Sequence, residues 1–256
     1  MSAGKVILAL DGMGGDRAPD VVVNGADIAR ERYPGTTFLL FGDPAKLKPL
    51  VDKRKGLAQV LEIVPAEDAV LAEDKPSFAL RRRRKSSMWL ACEAAGQGRA
   101  DSVVSAGNTG ALLAISMFAM RMLEGADRPA LCSFVPTARG ESVMLDLGAN
   151  VECDADNLAQ FAVMGSVFAQ VLMGLDAPRV GLLNVGSEEL KGHEEVRQAA
   201  VAESRNSRTC RSWADAAPNR DPGRTAPTHS LVCQVPFPHN GRDWARDAMG
   251  CGVMLR

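Results

Sequence analysis

The chain opens on an unbroken apolar run, Val6-Ile7-Leu8-Ala9-Leu10, closed by Asp11, and the same signature returns along its length. Residues 37–41, 60–64, 103–104 and 180–185 are short, apolar and rich in β-branched or aromatic side chains, and polar or glycine-bearing sequence follows most of them. Such runs predict buried strands. Between them the apolar spacing turns helical. Val22, Ala26 and Ala29 form a stripe after Pro19 that Tyr33-Pro34-Gly35 stops, and Asp43-Pro44 opens a short amphipathic stretch through Val51. Residues 76–80, 88–95, 111–123 and 155–173 also read as helices. Residues 131–135 and 143–147 read as strands too close together for a crossover helix, which predicts a hairpin. Strands alternating with helices predict an α/β protein whose sheet is mostly parallel and helix-covered.

Composition changes this picture in one place. Apolar content of 46% and charged content of 24% over 256 residues are ordinary for a globular chain. A net charge of -1 argues against nucleic acid as the main partner. The first ten residues lack the pattern of a signal peptide, and no apolar stretch reaches the length of a membrane span. The six cysteines are scattered without a C-x-x-C pair, predicting neither a zinc site nor a disulfide framework but a reducing, cytoplasmic setting. The totals conceal a break near residue 200. All eight lysines lie at or before Lys191 and all four isoleucines at or before Ile115. Residues 201–256 instead hold eight arginines, five prolines, three cysteines and only two leucines. The expected organisation is therefore an α/β domain over residues 1–200 and a tail of out-of-frame or foreign origin over residues 201–256.

Several catalytic signatures are absent. The dinucleotide fingerprint fails at Gly12-Met13-Gly14-Gly15-Asp16-Arg17, where Arg17 stands in place of the last glycine. There is no P-loop, His193-Glu194-Glu195-Val196-Arg197 lacks the second histidine of a zincin, and Ser105 lacks the glycine a nucleophile elbow needs. What remains is a set of glycine-containing loops at strand ends: 11–16, 105–110, 148–150 and 184–192. In a parallel sheet such ends share the edge where ligands bind. Ser105-Ala106-Gly107-Asn108-Thr109-Gly110 is either a plain helix cap or an anion site made of bare backbone N–H groups. Asp11 and Asp16 are either turn-capping residues or direct participants. Lys191 is either a solvated partner of Glu188 or Glu189 or a catalytic cation. The run Arg81-Arg82-Arg83-Arg84-Lys85 is either a solvated face or a surface for phosphate, nucleic acid or an acidic protein.

Five stretches taken together resemble the bacterial phosphate acyltransferases of phospholipid synthesis, the PlsX family. They are Asp11-Gly-Met-Gly-Gly-Asp-Arg-Ala-Pro19, Pro76-Ser-Phe-Ala-Leu-Arg-Arg-Arg-Arg-Lys-Ser-Ser-Met88, Ser105-Ala-Gly-Asn-Thr-Gly-Ala-Leu112, Asp146-Leu-Gly-Ala-Asn-Val-Glu-Cys153 and Gly181-Leu-Leu-Asn-Val-Gly-Ser-Glu-Glu-Leu-Lys-Gly192. They fall in the family's order and cover residues 5 to about 200; the family's later strands, helices and hydrophobic hairpin find no match in the tail.

The resemblance implies a three-layer α/β/α fold like those of phosphotransacetylases and isocitrate dehydrogenases. It implies transfer of a long-chain acyl group from acyl carrier protein to phosphate, with no metal or redox cofactor. By motif position, Lys191 would be the charge stabiliser, with Asn184 and Asp16 as orienting groups. Ser105, Gly107, Asn108, Thr109 and Gly110, with Gly14 and Gly15, would cradle phosphate, and Arg81 to Lys85 would face the acidic carrier protein. The family further implies a homodimer, a cytoplasmic location with peripheral membrane association, and a glycerol-3-phosphate acyltransferase acting next. The competing expectations are a truncated, inactive homologue that at most binds phosphate or carrier protein, and, more remotely, an NAD(P)-dependent dehydrogenase.

Overall fold

A computed structural model describes residues 6–137, 140–148, 150, 153–182, 198–199, 229–232 and 252–255. They belong to two compact units, Met1–Leu123 with Gly241–Arg256, and Glu124–Asn240.

The first unit is built on a five-stranded sheet. Its parallel strands are β1 (Val6–Asp11), β2 (Thr36–Gly42), β3 (Leu61–Pro65) and β4 (Ser102–Ser105), in the order β3-β2-β1-β4. The helices are α1 (Asp20–Arg32), α2 (Pro44–Asp52), the short α3 (Lys55–Ala58), α4 (Pro76–Arg82), α5 (Ser87–Gly96) and α6 (Thr109–Ala119). Because successive strand residues point to opposite faces, the apolar runs feed two separate interiors. Ala9, Phe41 and Val103 pack with Met88, Trp89, Ala91, Cys92 and Ile115 on one side. Leu10, Leu40 and Phe38 pack with Val23, Leu47 and Leu57 on the other. The sheet is thus a middle layer between two sets of helices, as the unbroken apolarity of β1 and β2 predicts.

Helix α5 is apolar on nearly every side and packs into the first interior, with Ala91, Cys92, Ala94 and Ala95 buried. Its last residue, Gly96, meets the carbonyl of Ala119 so closely that a Cβ would collide with it, which brings α5 and α6 into backbone contact. Helix α6 starts two residues earlier than its apolar periodicity suggests, because Asn108 caps it, and it stops at Ala119 rather than Leu123. The stop follows from Arg121, whose φ of 65° lies in the left-handed region and turns the chain away.

The second unit holds a four-stranded sheet ordered β5-β6-β8-β7. β5 (Cys132–Thr137) and β6 (Gly140–Leu145) form the antiparallel hairpin expected from their spacing. β7 (Arg179–Leu182) and β8 (His229–Val232) extend the sheet in parallel. Helix α7 (Ala155–Met173) occupies the span the sequence predicts for it. It opens with a capping box of Asp154 and Asn157 and closes at the left-handed Gly174. Its buried residues Leu158, Phe161, Ala162 and Ala169 pack on Val143, Leu145 and Val180. Within residues 201–256 the described segments are β8 and β9 (Gly252–Leu255), the latter pairing antiparallel with β4 at the edge of the first sheet. After β4 the next strands form the second sheet, and β9 holds the β4 edge of the first. Among the described residues no helix is long and apolar enough to cross a membrane.

Candidate functional site

The carboxyl ends of β1 and β4 lie side by side, because Leu10 pairs with Val104. That register sets Asp11 beside Ser105. Asp11 is 1% exposed. Its Oδ2 accepts the Ser105 hydroxyl at 2.7 Å, and its Oδ1 accepts the hydroxyl of Ser87, the first residue of α5, at 2.5 Å. The Met13 amide donates to Oδ1 at 3.3 Å. Burial pushes the Asp11 carboxyl above its ordinary value, against the opposing hydrogen bonds from Ser87, Ser105 and the amides of Met13 and Gly14. Gly14 folds directly over this group, so a Cβ there would run into Asp11 Oδ2 and lie 2.9 Å from Ser105 Oγ. Gly15, at φ 102°, is pressed against the carbonyl of Ala106. The two glycine loops at this sheet edge therefore touch, backbone to backbone.

The second loop is held from several directions. The Gly107 amide donates to Ser105 Oγ at 3.1 Å. Asn108 caps α6 by accepting the Ala111 amide at 3.0 Å, and its own amide group donates to the carbonyls of Ala72 and Asp74, each at 2.9 Å. The carboxylate of Asp74 in turn accepts Arg83 Nε at 3.0 Å, and Arg83 Nη1 reaches Asp68 at 2.9 Å. Hydrogen bonds from the Leu71 amide and Arg83 hold the Asp74 carboxyl below its ordinary value. Replacing Asn108 by alanine is expected to cost about 1–2 kcal/mol, through loss of a cap and two loop anchors. Chemical denaturation of the variant and the parent protein measures that cost.

The structure brings Gly14, Gly15, Ser105 and Gly107 together and places Thr109 and Gly110 in the first turn of α6. Neither the Thr109 nor the Gly110 amide has a hydrogen-bond partner among the described residues, which suits an anion at that helix end. Asp16 is exposed on the first loop. Lys191 and Asn184 lie outside the described residues. The loop at residues 148–150 follows β6 in the second unit. The basic run does not form one face. Arg83 is drawn into the fold by its two aspartates and lies over the Phe78 ring, and Lys85 pairs with Glu67 at 2.7 Å. Arg84 lies over the rings of Trp89 and Phe118, at 5.2 and 5.4 Å. Arg81 and Arg82 are exposed.

Sequence reading gave Ser87 no part, although it stands within the Pro76–Met88 stretch and contacts the only buried carboxylate described at this edge. Burial lifts the thiols of Cys92 to about 11 and Cys153 to about 12, so neither supplies a thiolate near neutral pH. Among the described residues no three His, Cys, Asp or Glu side chains gather as a metal site would require.

A family model described as "Fatty acid synthesis protein" matches residues 6–207. A phosphate acyltransferase of Rhodospirillum centenum is 61% identical over 198 residues, which are 77% of this chain and 56% of that protein. One from Paramagnetospirillum magneticum is 52% identical over 202 residues, 79% of this chain and 57% of its own length. The chain thus spans about half the length of the curated relatives it matches. Among solved structures, the EutD phosphotransacetylase of Staphylococcus aureus matches with a TM-score of 0.61 at 17% identity, covering 97% of this chain and 84% of that one. A branched-chain phosphotransacylase of Enterococcus faecalis gives 0.62 at 13% identity, covering 97% and 86%. At these identities the likeness is one of fold.

Proposed function

The chain belongs to the family described as fatty acid synthesis protein, and from that premise we propose that it transfers a long-chain acyl group from acyl carrier protein to inorganic phosphate. The observation that carries this is the 61% identity over 198 residues to a protein named phosphate acyltransferase. Glycine-bearing loops at the carboxyl ends of β1 and β4 lend support, since that edge of a parallel sheet is where ligands are received.

The chemistry asks little of acids and bases. A phosphate oxygen attacks the thioester carbonyl carbon, the carbon–sulfur bond breaks, and the electron pair leaves on the carrier's thiolate. The products are acyl phosphate and free carrier protein. Backbone amides of Asn108 to Gly110, with Gly14, Gly15 and Gly107 close by, hold phosphate in place at modest entropic cost. Lys191 offsets the negative charge that grows on the carbonyl oxygen, and Asn184 and Asp16 orient the reactants. Arg81 and Arg82 meet the acidic carrier protein. The same proposal includes a homodimer, a cytoplasmic setting at the membrane surface, and a following acyl transfer to glycerol 3-phosphate in phospholipid synthesis.

Purified chain, long-chain acyl carrier protein and phosphate are combined, and hydroxylamine traps acyl phosphate as the hydroxamate. Hydroxamate above a protein-free control is expected; none would overturn the proposal. The KM for carrier protein should rise with ionic strength as salt screens the arginines. A KM flat between low and high salt removes Arg81 and Arg82 from carrier recognition.

A further inference from the structure

We propose that Asp11 is the positioning residue of this site: it aims the hydroxyl of Ser105, which then fixes the turn that opens α6. This rests on the phosphate-binding reading above and adds to it a residue that works without touching phosphate.

The carboxylate is fully committed inward. One oxygen takes the Ser87 hydroxyl at 2.5 Å and the Met13 amide at 3.3 Å, and the other takes the Ser105 hydroxyl at 2.7 Å. Gly14 covers the second oxygen, and only 1% of the residue is exposed. A ligand has no approach to it, so its effect must pass through its partners. Ser105 has a single hydroxyl hydrogen, and Asp11 holds it. The oxygen is thereby left as an acceptor, and it receives the Gly107 amide at 3.1 Å. Ser105 in this arrangement is a brace under the turn and not a donor to an anion.

The surroundings leave little slack. A Cβ on Gly107 would lie 3.0 Å from Met88 Cε and 3.2 Å from the Gly14 Cα, so the two loops are packed against each other. If Ser105 rotates, the Gly107 amide loses its acceptor, and the Thr109 and Gly110 amides lose their fixed direction. Low local dielectric strengthens the hydrogen bonds within this cluster and raises the cost of leaving any one unmade.

The sign of the effect separates positioning from simple electrostatics. A buried negative charge repels phosphate, so neutralising it by Asp11→Asn would tighten binding if charge alone mattered. Asparagine keeps the volume but has one acceptor oxygen for two hydroxyls, so positioning predicts weaker binding. The experiment measures the dissociation constant for inorganic phosphate by calorimetry on the full chain, and KM for phosphate and kcat in the acyl transfer assay. Asp11→Asn and Ser105→Ala are each expected to raise both phosphate constants about tenfold, about 1.4 kcal/mol, with kcat nearly unchanged. The double variant should be no worse than either single one, because both break one chain of contacts. Unchanged or tighter phosphate binding in folded Asp11→Asn, or effects that multiply in the double variant, would overturn the proposal. A merely structural Asp11 lowers thermal stability without moving the phosphate constants.

Should Asp11→Asn not fold, Ser105→Ala decides alone. Faster amide hydrogen exchange at Gly107 together with weaker phosphate binding supports the brace, and the absence of either overturns it. Phosphate binding without acyl phosphate formation defeats the acyl-transfer reading yet leaves Asp11 tested by calorimetry; no phosphate binding by the parent chain defeats both.

Discussion

Lys191→Ala is expected to slow acyl phosphate formation by about 10²–10³-fold, the usual consequence of removing one group that stabilises a developing oxyanion. The loss should fall mainly on kcat, because the carbonyl oxygen carries full charge only as phosphate adds to it. No histidine is an obvious substitute, since His193 is the only one before residue 229. Nor does a thiolate leaving group need a proton. Lys191→Arg should recover part of the rate by keeping the charge while changing its geometry. Initial rates of hydroxamate formation at saturating phosphate measure the effect. A decrease of less than about threefold would remove Lys191 from the role of charge stabiliser, since one oxyanion donor accounts for far more.

Gly14→Ala is expected to destabilise the first unit by about 3 kcal/mol, at the upper end for overpacking. The added methyl meets the carboxylate oxygen of Asp11 and sits 2.9 Å from Ser105 Oγ, and both atoms are tied into hydrogen bonds that cannot yield separately. Activity should fall together with the melting temperature. Gly25→Ala is the matched control. It lies inside α1 with nothing within 4 Å of the added carbon, so alanine should stabilise the helix by about 1 kcal/mol. Thermal unfolding of the two variants separates steric conflict from the general effect of losing a glycine. Similar melting temperatures for both would contradict the packing described for Gly14.

Most of the first unit was legible in the sequence because its signals are local. Runs such as Val6-Ile7-Leu8-Ala9-Leu10 announce strands of a helix-covered sheet, and Asn108 announces a helix start. Reading the 105–110 loop as either a cap or an anion site posed a choice the structure does not impose: the Asn108 side chain caps α6 while the next two amides stay unpartnered among the described residues. Less legible were features that depend on distant partners. Five consecutive basic residues look alike in sequence, yet Arg83 alone is drawn in, because Asp68 and Asp74 lie within reach. Ser87 reads as an unremarked serine until the fold sets it against Asp11, 76 positions earlier. The division into two sheets was equally hidden, since apolar runs reveal strands but not which strands pair.

The two interiors of the first unit bear on how this stretch of chain can change over time. Neighbours such as Ala9 and Leu10, or Leu40 and Phe41, answer to different sets of packing partners. Adding or deleting one codon within β1 would swap the contents of both interiors at once. Adding two would restore the faces but carry Asp11 past Ser105. Single substitutions are therefore the open route for drift here, and length changes belong in the connecting segments beyond the strands.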